Sequence, residues 1–151
     1  MSLQSQTRNM KLLADLLEQD LGYIFGEREN GPNGAKKDFL STGKTFLTGL
    51  GRDAGLARQK VYVNSAGIGV SGEVYLCGMW ETCGVKLELS QDNLHGRCLK
   101  YKRITDLRDT SGGYSHYITH SELRTADYIT LLEKILILNE DGVLTYGRKA
   151  A

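Results

Sequence analysis

The hydrophobic period of this chain changes twice, and that change limits its folds more than anything else in the sequence. As far as the segment RDAGLARQ, apolar side chains recur every three or four positions. From Lys60 onward they alternate, and after Thr119 the three-to-four spacing returns. A period near 3.6 lays one stripe of a helix on a core, and a period of 2 lays one face of a strand there. Helix, helix, strands, helix is the expected order. Without βαβ alternation, such a chain packs its helices on one face of an antiparallel sheet. The expected fold class is α+β: a meander of about four strands, with two N-terminal helices and one C-terminal helix on one face.

The first helix is expected from Gln6 to about Tyr23, with Met10, Leu12, Leu13, Leu16, Leu17 and Leu21 as its stripe and Asp15, Glu18 and Asp20 opposite. The Gly-Pro-Asn-Gly core of the next segment is turn chemistry, so loop 26–35 is expected to be flexible. Asn33 is a candidate cap for a second helix from about Ala35 to Gly51, with Phe39, Leu40, Gly43, Phe46, Leu47 and Leu50 as its stripe. Inside that helix lies Ser41-Thr42-Gly43-Lys44-Thr45, which invites comparison with a phosphate-binding loop. Such a loop needs a glycine five residues before Gly43, so that backbone N–H groups curl around the phosphates, and it must follow a buried strand. Asp38 stands at that position and a polar loop precedes it. The expectation is a mid-helix segment in which Gly43 permits close packing.

In the alternating region, Val61 and Val63 share one face. Ile68, Val70, Val74, Leu76 and Trp80 share the next, opposite Ser71, Glu73, Tyr75, Cys77 and Met79, with Gly72 as a candidate bulge. Val85, Leu87 and Leu89 point inward and Lys86 and Glu88 outward, followed after a turn by RCLKYKRI. A short extended piece is offered by YSHYI, after a Ser-Gly-Gly turn. Thr119 with Glu122 forms a capping-box pattern opening the last helix, whose stripe is Leu123, Ala126, Ile129, Leu132, Ile135 and Leu136. No repeat or second boundary is visible, so 1–151 reads as a single α+β domain with a tail at 140–151.

Nineteen basic and 18 acidic residues leave a net charge of +1. The balance is even along the chain: eight basic against seven acidic in 1–59, seven against six in 60–110, and four against five in 111–151. A globally basic nucleic-acid or membrane-surface protein is thereby disfavoured, though a local patch is not. No apolar run reaches bilayer length and no secretory pattern opens the chain. Three cysteines, an odd number, read as reduced thiols in a cytoplasmic protein. No membrane contact and no cofactor is expected.

Four constellations bear on chemistry. Cys77, Cys83, His95 and Cys98 have ligand types suited to zinc, but the C-x5-C-x11-H-x2-C spacing is wider than a usual knuckle, and buried structural cysteine is the favoured reading. His116 and His120 lie before and at the start of a helix, with no positioned nucleophile beside them. No metal and no catalytic residue is assigned. Arg97, Lys100, Lys102, Arg103 and Arg108, against Asp106, surround Tyr101 in the strand GRCLKYKRITDLR. Cations and an aromatic on an exposed strand suit nucleic acid. The competing and preferred explanation is an edge strand guarded by Lys and Arg. Alternation also splits this set, with Arg97, Tyr101 and Arg103 facing one way and Lys100 and Lys102 the other. Tyr114, Tyr117 and Trp80 are candidate interface anchors, or lids over a core.

These features favour a non-enzymatic interaction or accessory domain that binds a macromolecular partner. Candidate contacts are Arg97, Lys100, Tyr101, Lys102, Arg103, Tyr114 and Tyr117, with nucleic acid through residues 97–108 as the named variant. A homodimer through the sheet or the last helix is a further form of this reading. The rival is a small enzyme or ligand-binding protein with a pocket between sheet and helices, using His116, His120 and a cysteine.

Overall fold

The computed structural model describes residues 3–18, 35–63, 74–92, 94–110 and 112–140. They form α1 (Leu3–Leu17), α2 (Ala35–Asp53), β1 (Arg58–Val63), β2 (Val74–Met79), β3 (Gly84–Asp92), β4 (Gly96–Ile104), β5 (Ser115–Thr119), α3 (His120–Thr125) and α4 (Tyr128–Glu140). The strands lie in the order β1-β2-β3-β4-β5, and every neighbouring pair is antiparallel. This is the expected α+β meander, with one strand and one helix more than anticipated. Asn33, Gly72 and all of loop 26–35 but Ala35 lie outside the described residues, as do 141–151 of the tail.

The extra strand is the short piece offered by YSHYI. Its five residues alternate too weakly to announce a strand alone, but β4 supplies the ladder, pairing Leu99 with Ile118 and Tyr101 with His116. At its end Thr119 caps α3: Glu122 N donates to Thr119 Oγ1 at 3.2 Å, and Thr119 N donates to Glu122 Oε1 at 3.0 Å.

The extra helix is a correction. The expected C-terminal helix is interrupted at Ala126, whose φ of −69° and ψ of 150° are extended. The break resets the helical phase. Buried positions in α4 are Tyr128, Leu131, Ile135 and Leu138, while Ile129 and Leu136, expected inward, are exposed. A single stripe drawn through residues 123–136 fails because the two helices do not share a phase.

All four helices contribute to one core with Val74, Leu76, Val85, Leu87, Leu89, Leu99, Tyr101 and Ile118 of the sheet. Gly43 explains how closely α2 lies on it: a Cβ there would come within 2.6 Å of Leu89 Cδ1. The STGKT segment is therefore helical and pressed to the sheet, as its context implied. In α1, Met10, Leu13 and Leu17 of the expected stripe are buried and Leu16 packs against the core, whereas Leu12 is exposed and Ala14 and Gln6 are buried beside them; Leu21 lies outside the described residues. Buried Gln6 donates through Nε2 to Phe46 O and to the Tyr128 hydroxyl, each at 3.2 Å. The Tyr128 hydroxyl donates to Asp53 Oδ2 at 2.6 Å. Burial and then the Asp53 bond push the Tyr128 phenol well up, keeping it a neutral donor. This polar chain links α1, α2 and α4.

Candidate functional site

Successive side chains of a strand point to opposite faces. The register that places Val74, Leu89, Leu99 and Ile118 in one row beneath the helices therefore builds two rows on the other face. One runs Tyr62, Tyr75, Glu88, Lys100, Tyr117; the next runs Lys60, Cys77, Lys86, Lys102, Ser115. No helix covers this face among the described residues. A small cluster of Cys77, Met79 and Ile104, with Tyr75 and Leu107, closes one end of it. There the chain after β4 turns back, aided by Gly112 and Gly113 at φ of 75° and 78°, and Lys102 Nζ donates to Gly112 O at 3.2 Å.

The open rows interleave aromatic rings with ammonium groups. Tyr62 and Tyr75 stack with centroids 4.8 Å apart and planes 16° from parallel. Lys60 Nζ lies 5.3 Å from the Tyr62 centroid and Lys86 Nζ 5.0 Å from that of Tyr75. At the β5 edge His95 stacks on Tyr117 at 3.6 Å and 6°. The Glu88 carboxylate sits in the middle, 8 % exposed, with Oε1 3.5 Å from Lys86 Nζ. Lys86 and Lys102 are directly opposite one another across β3 and β4, an arrangement that weakens a sheet. Burial first, then the like charges of Lys86 and Lys100, push the Lys102 ammonium below its ordinary value. Burial also raises the Tyr75 phenol, helped by Cys77, Tyr62 and Glu88, so the ring stays uncharged.

The sequence-derived contact set is divided by this geometry. Lys100, Lys102 and Tyr117 are on the open face, and Tyr114 is an exposed side chain on the segment leading into β5. Tyr101 is on the covered face, in the main core, stacked on His116 with centroids 5.0 Å apart. Burial, then the charge of Glu122, raises its phenol. Arg97 Nη1 donates to Glu18 O, tying β4 to the end of α1, and Arg103 is half-buried on the same side. β4 is paired on both sides, so its lysines guard no sheet edge. Lys60, Tyr62, Tyr75 and Lys86 lie outside the contact set expected from the sequence. Alternation alone turned Tyr75 and Lys86 away from the core, but only the register of β1 to β4 brings them beside Lys100 and Lys102. Trp80 is a lid: it is 7 % exposed, and its Nε1 donates to Ala54 O at 2.8 Å.

The cysteines do not converge. Cys77 packs with Met79 and Ile104, whereas Cys83 lies in the main core with Sγ 3.7 Å from Leu138 O. None of the three cysteines is in a disulfide and all are buried, and burial pushes Cys77 up despite Lys86. Among the described residues no group of three potential ligands could hold a metal, and no helix is long and apolar enough to cross a membrane. A cavity of about 280 Å³ between β5, α3 and α4 is lined by Ile118, Glu122, Asp127, Thr130, Leu131 and Lys134, among others, and by none of the histidines or cysteines. Apolar side chains face outward on α4 at Ile129, Leu136 and Ile137. Comparison of the chain with protein-family models, with curated proteins and with solved structures finds no match, and the chemistry of the open sheet face is what remains to read.

Proposed function

We propose that this chain is a non-enzymatic binding domain whose partner is a nucleic-acid strand held on the open face of the sheet. The observation that carries the reading is the gathering of Lys60, Lys86, Lys100 and Lys102 from three strands onto one face, around a stacked tyrosine pair. Among the described residues, four ammonium groups stand there against Glu88, with Asp109 acting on Lys102 from the segment after β4. A near-neutral chain thus concentrates positive charge on a face that no helix covers among the described residues. Lysines on an inner strand have no edge to protect. The opposed Lys86 and Lys102 weaken the sheet that carries them, and a phosphate between them turns that repulsion into attraction.

The test is a salt titration. A labelled oligonucleotide is titrated with the protein by fluorescence anisotropy between ~50 and ~200 mM salt. Log affinity falls linearly with log salt. Replacing Lys86, Lys100 and Lys102 together by Gln lowers the slope by about two, at roughly 0.7 per phosphate contact on a single strand. Binding that ignores salt, or that is too weak to measure at the lower salt, would end this reading.

A further inference from the structure

The open face has a width as well as a charge. Strands lie about 4.8 Å apart, so the row from Tyr62 on β1 to Tyr117 on β5 spans about 19 Å. The major groove of duplex DNA is about 12 Å wide and admits a helix or a two-stranded ribbon, not a five-stranded face. In a duplex the faces of the bases are also hidden in their own stack. The tyrosine rings on this sheet would then meet only the outside of the backbone, and their stacking surface would be wasted.

A single strand uses both chemistries. Resting on the reading of this face as a nucleic-acid surface, we infer that its ligand is single-stranded, with bases stacked on the aromatic pairs Tyr62–Tyr75 and Tyr117–His95 and phosphates on the lysines between them. The two stations stand at opposite ends of one row, with Glu88 and Lys100 between them. Tyr75 and Tyr117 are three strand spacings apart, about 14 Å. Aromatic side chains on an RNA-binding sheet stack about two or three bases.

Each ring of the first pair is partnered already, by the other ring and by a lysine. An exposed cation–π contact is weaker than a base stacked on the same ring, so an incoming base displaces Lys60 or Lys86. The released ammonium keeps its charge and moves to the phosphate beside that base. Tyr62 is on the edge strand and 36 % exposed, so its ring is the one a base reaches first. The binding is tolerant of sequence, because every base has a π-face and none of these rings reads a base edge.

The experiment compares three probes of equal length, about 12 nucleotides: a single-stranded oligothymidine, an abasic deoxyribose-phosphate strand, and a duplex. At one fixed salt the oligothymidine binds about ten-fold tighter than the abasic strand, and tighter than the duplex. Tyr62→Leu, at an exposed site where folding is retained, weakens oligothymidine about ten-fold and leaves the abasic strand unchanged. Tyr75→Leu does the same, with its folding checked by circular dichroism. Equal affinity for the oligothymidine and abasic strands overturns the stacking inference while leaving the electrostatic reading intact. Duplex bound as tightly as the single strand also overturns it. Failure to bind any of the three overturns both readings together.

Discussion

On the covered face of the sheet Leu87 sits between Leu76 and Tyr101 with no exposure, and one residue away on the open face Lys86 sits between Cys77 and Lys102. Leu87 is held by dispersion and by exclusion of water, and it belongs to a core that all four helices help to form. Lys86 stands over Tyr75 and near Glu88, opposite a second lysine. Two neighbours on one strand thus answer to different physical demands. The first explains why the sheet exists, and the second weakens it. Groups kept at a cost to the fold are candidates for function.

That contrast can be broken by measurement. Leu87→Ala removes buried side chain from the middle of the covered face and lowers unfolding free energy by about 3 kcal/mol in urea denaturation. The adjacent Lys86→Gln changes it by about 0.5 kcal/mol or less. Equal losses from the two substitutions would erase the distinction between the faces.

Gly43→Ala tests how tightly α2 is pressed onto the covered side. The added methyl meets Leu89 at 2.6 Å. Overpacking costs about 2 kcal/mol and the gain in helix propensity returns about 1 kcal/mol, so a net loss of about 1 kcal/mol is expected. A gain in stability would show that the helix has room to spare.

The capping box marks where the chain leaves the sheet to cover it. The Glu122 carboxyl is held below its ordinary value of 4.5, chiefly by the backbone N–H of Thr119 and then by its hydroxyl. A depressed carboxyl contributes stability above 4.5 that is lost as the pH falls through the lowered value. Thr119→Ala is expected to cost about 1 kcal/mol at neutral pH. The smaller advantage of the native chain over Glu122→Gln, about 0.5 kcal/mol, disappears on acidification. An advantage independent of pH would mean that the charge on Glu122 plays no part.

The smallest effect sharpens the comparison most. Lys102→Gln relieves the repulsion from Lys86 and Lys100 and is expected to raise stability, by no more than about 0.5 kcal/mol, while weakening salt-dependent binding. A loss above about 1 kcal/mol would make Lys102 a clamp on the Gly112 carbonyl instead.

Much of the fold was legible because local period reports local structure. Phe39, Phe46, Leu47 and Leu50 in α2, and Val85, Leu87 and Leu89 in β3, are all buried as their spacing implied. Gly43 was legible too, since a glycine in the middle of an apolar stripe has few reasons other than close approach. Less was legible at the ends of elements. Ala126 adopts an extended conformation that its residue type does not demand, and the phase of α4 follows from it. Gln6 is buried because Phe46 and Tyr128, far along the chain, satisfy its amide.

The sequence by itself determined the fold class, the sheet face of the alternating residues among those described, such as Val74, Tyr75, Leu76, Val85, Lys86 and Leu87, the cap at Thr119 and the helical state of STGKT. Each depends on neighbours a few residues away. Only the tertiary structure decided which side chains share the open face. Tyr62, Tyr75, Lys86 and Lys100 are placed together by register across four strands. Tyr101, adjacent to Lys100 in sequence, is sent to the opposite side by the pleat. A run of basic residues along one strand is necessarily divided between two faces, so a surface on this sheet is assembled across strands and not along them.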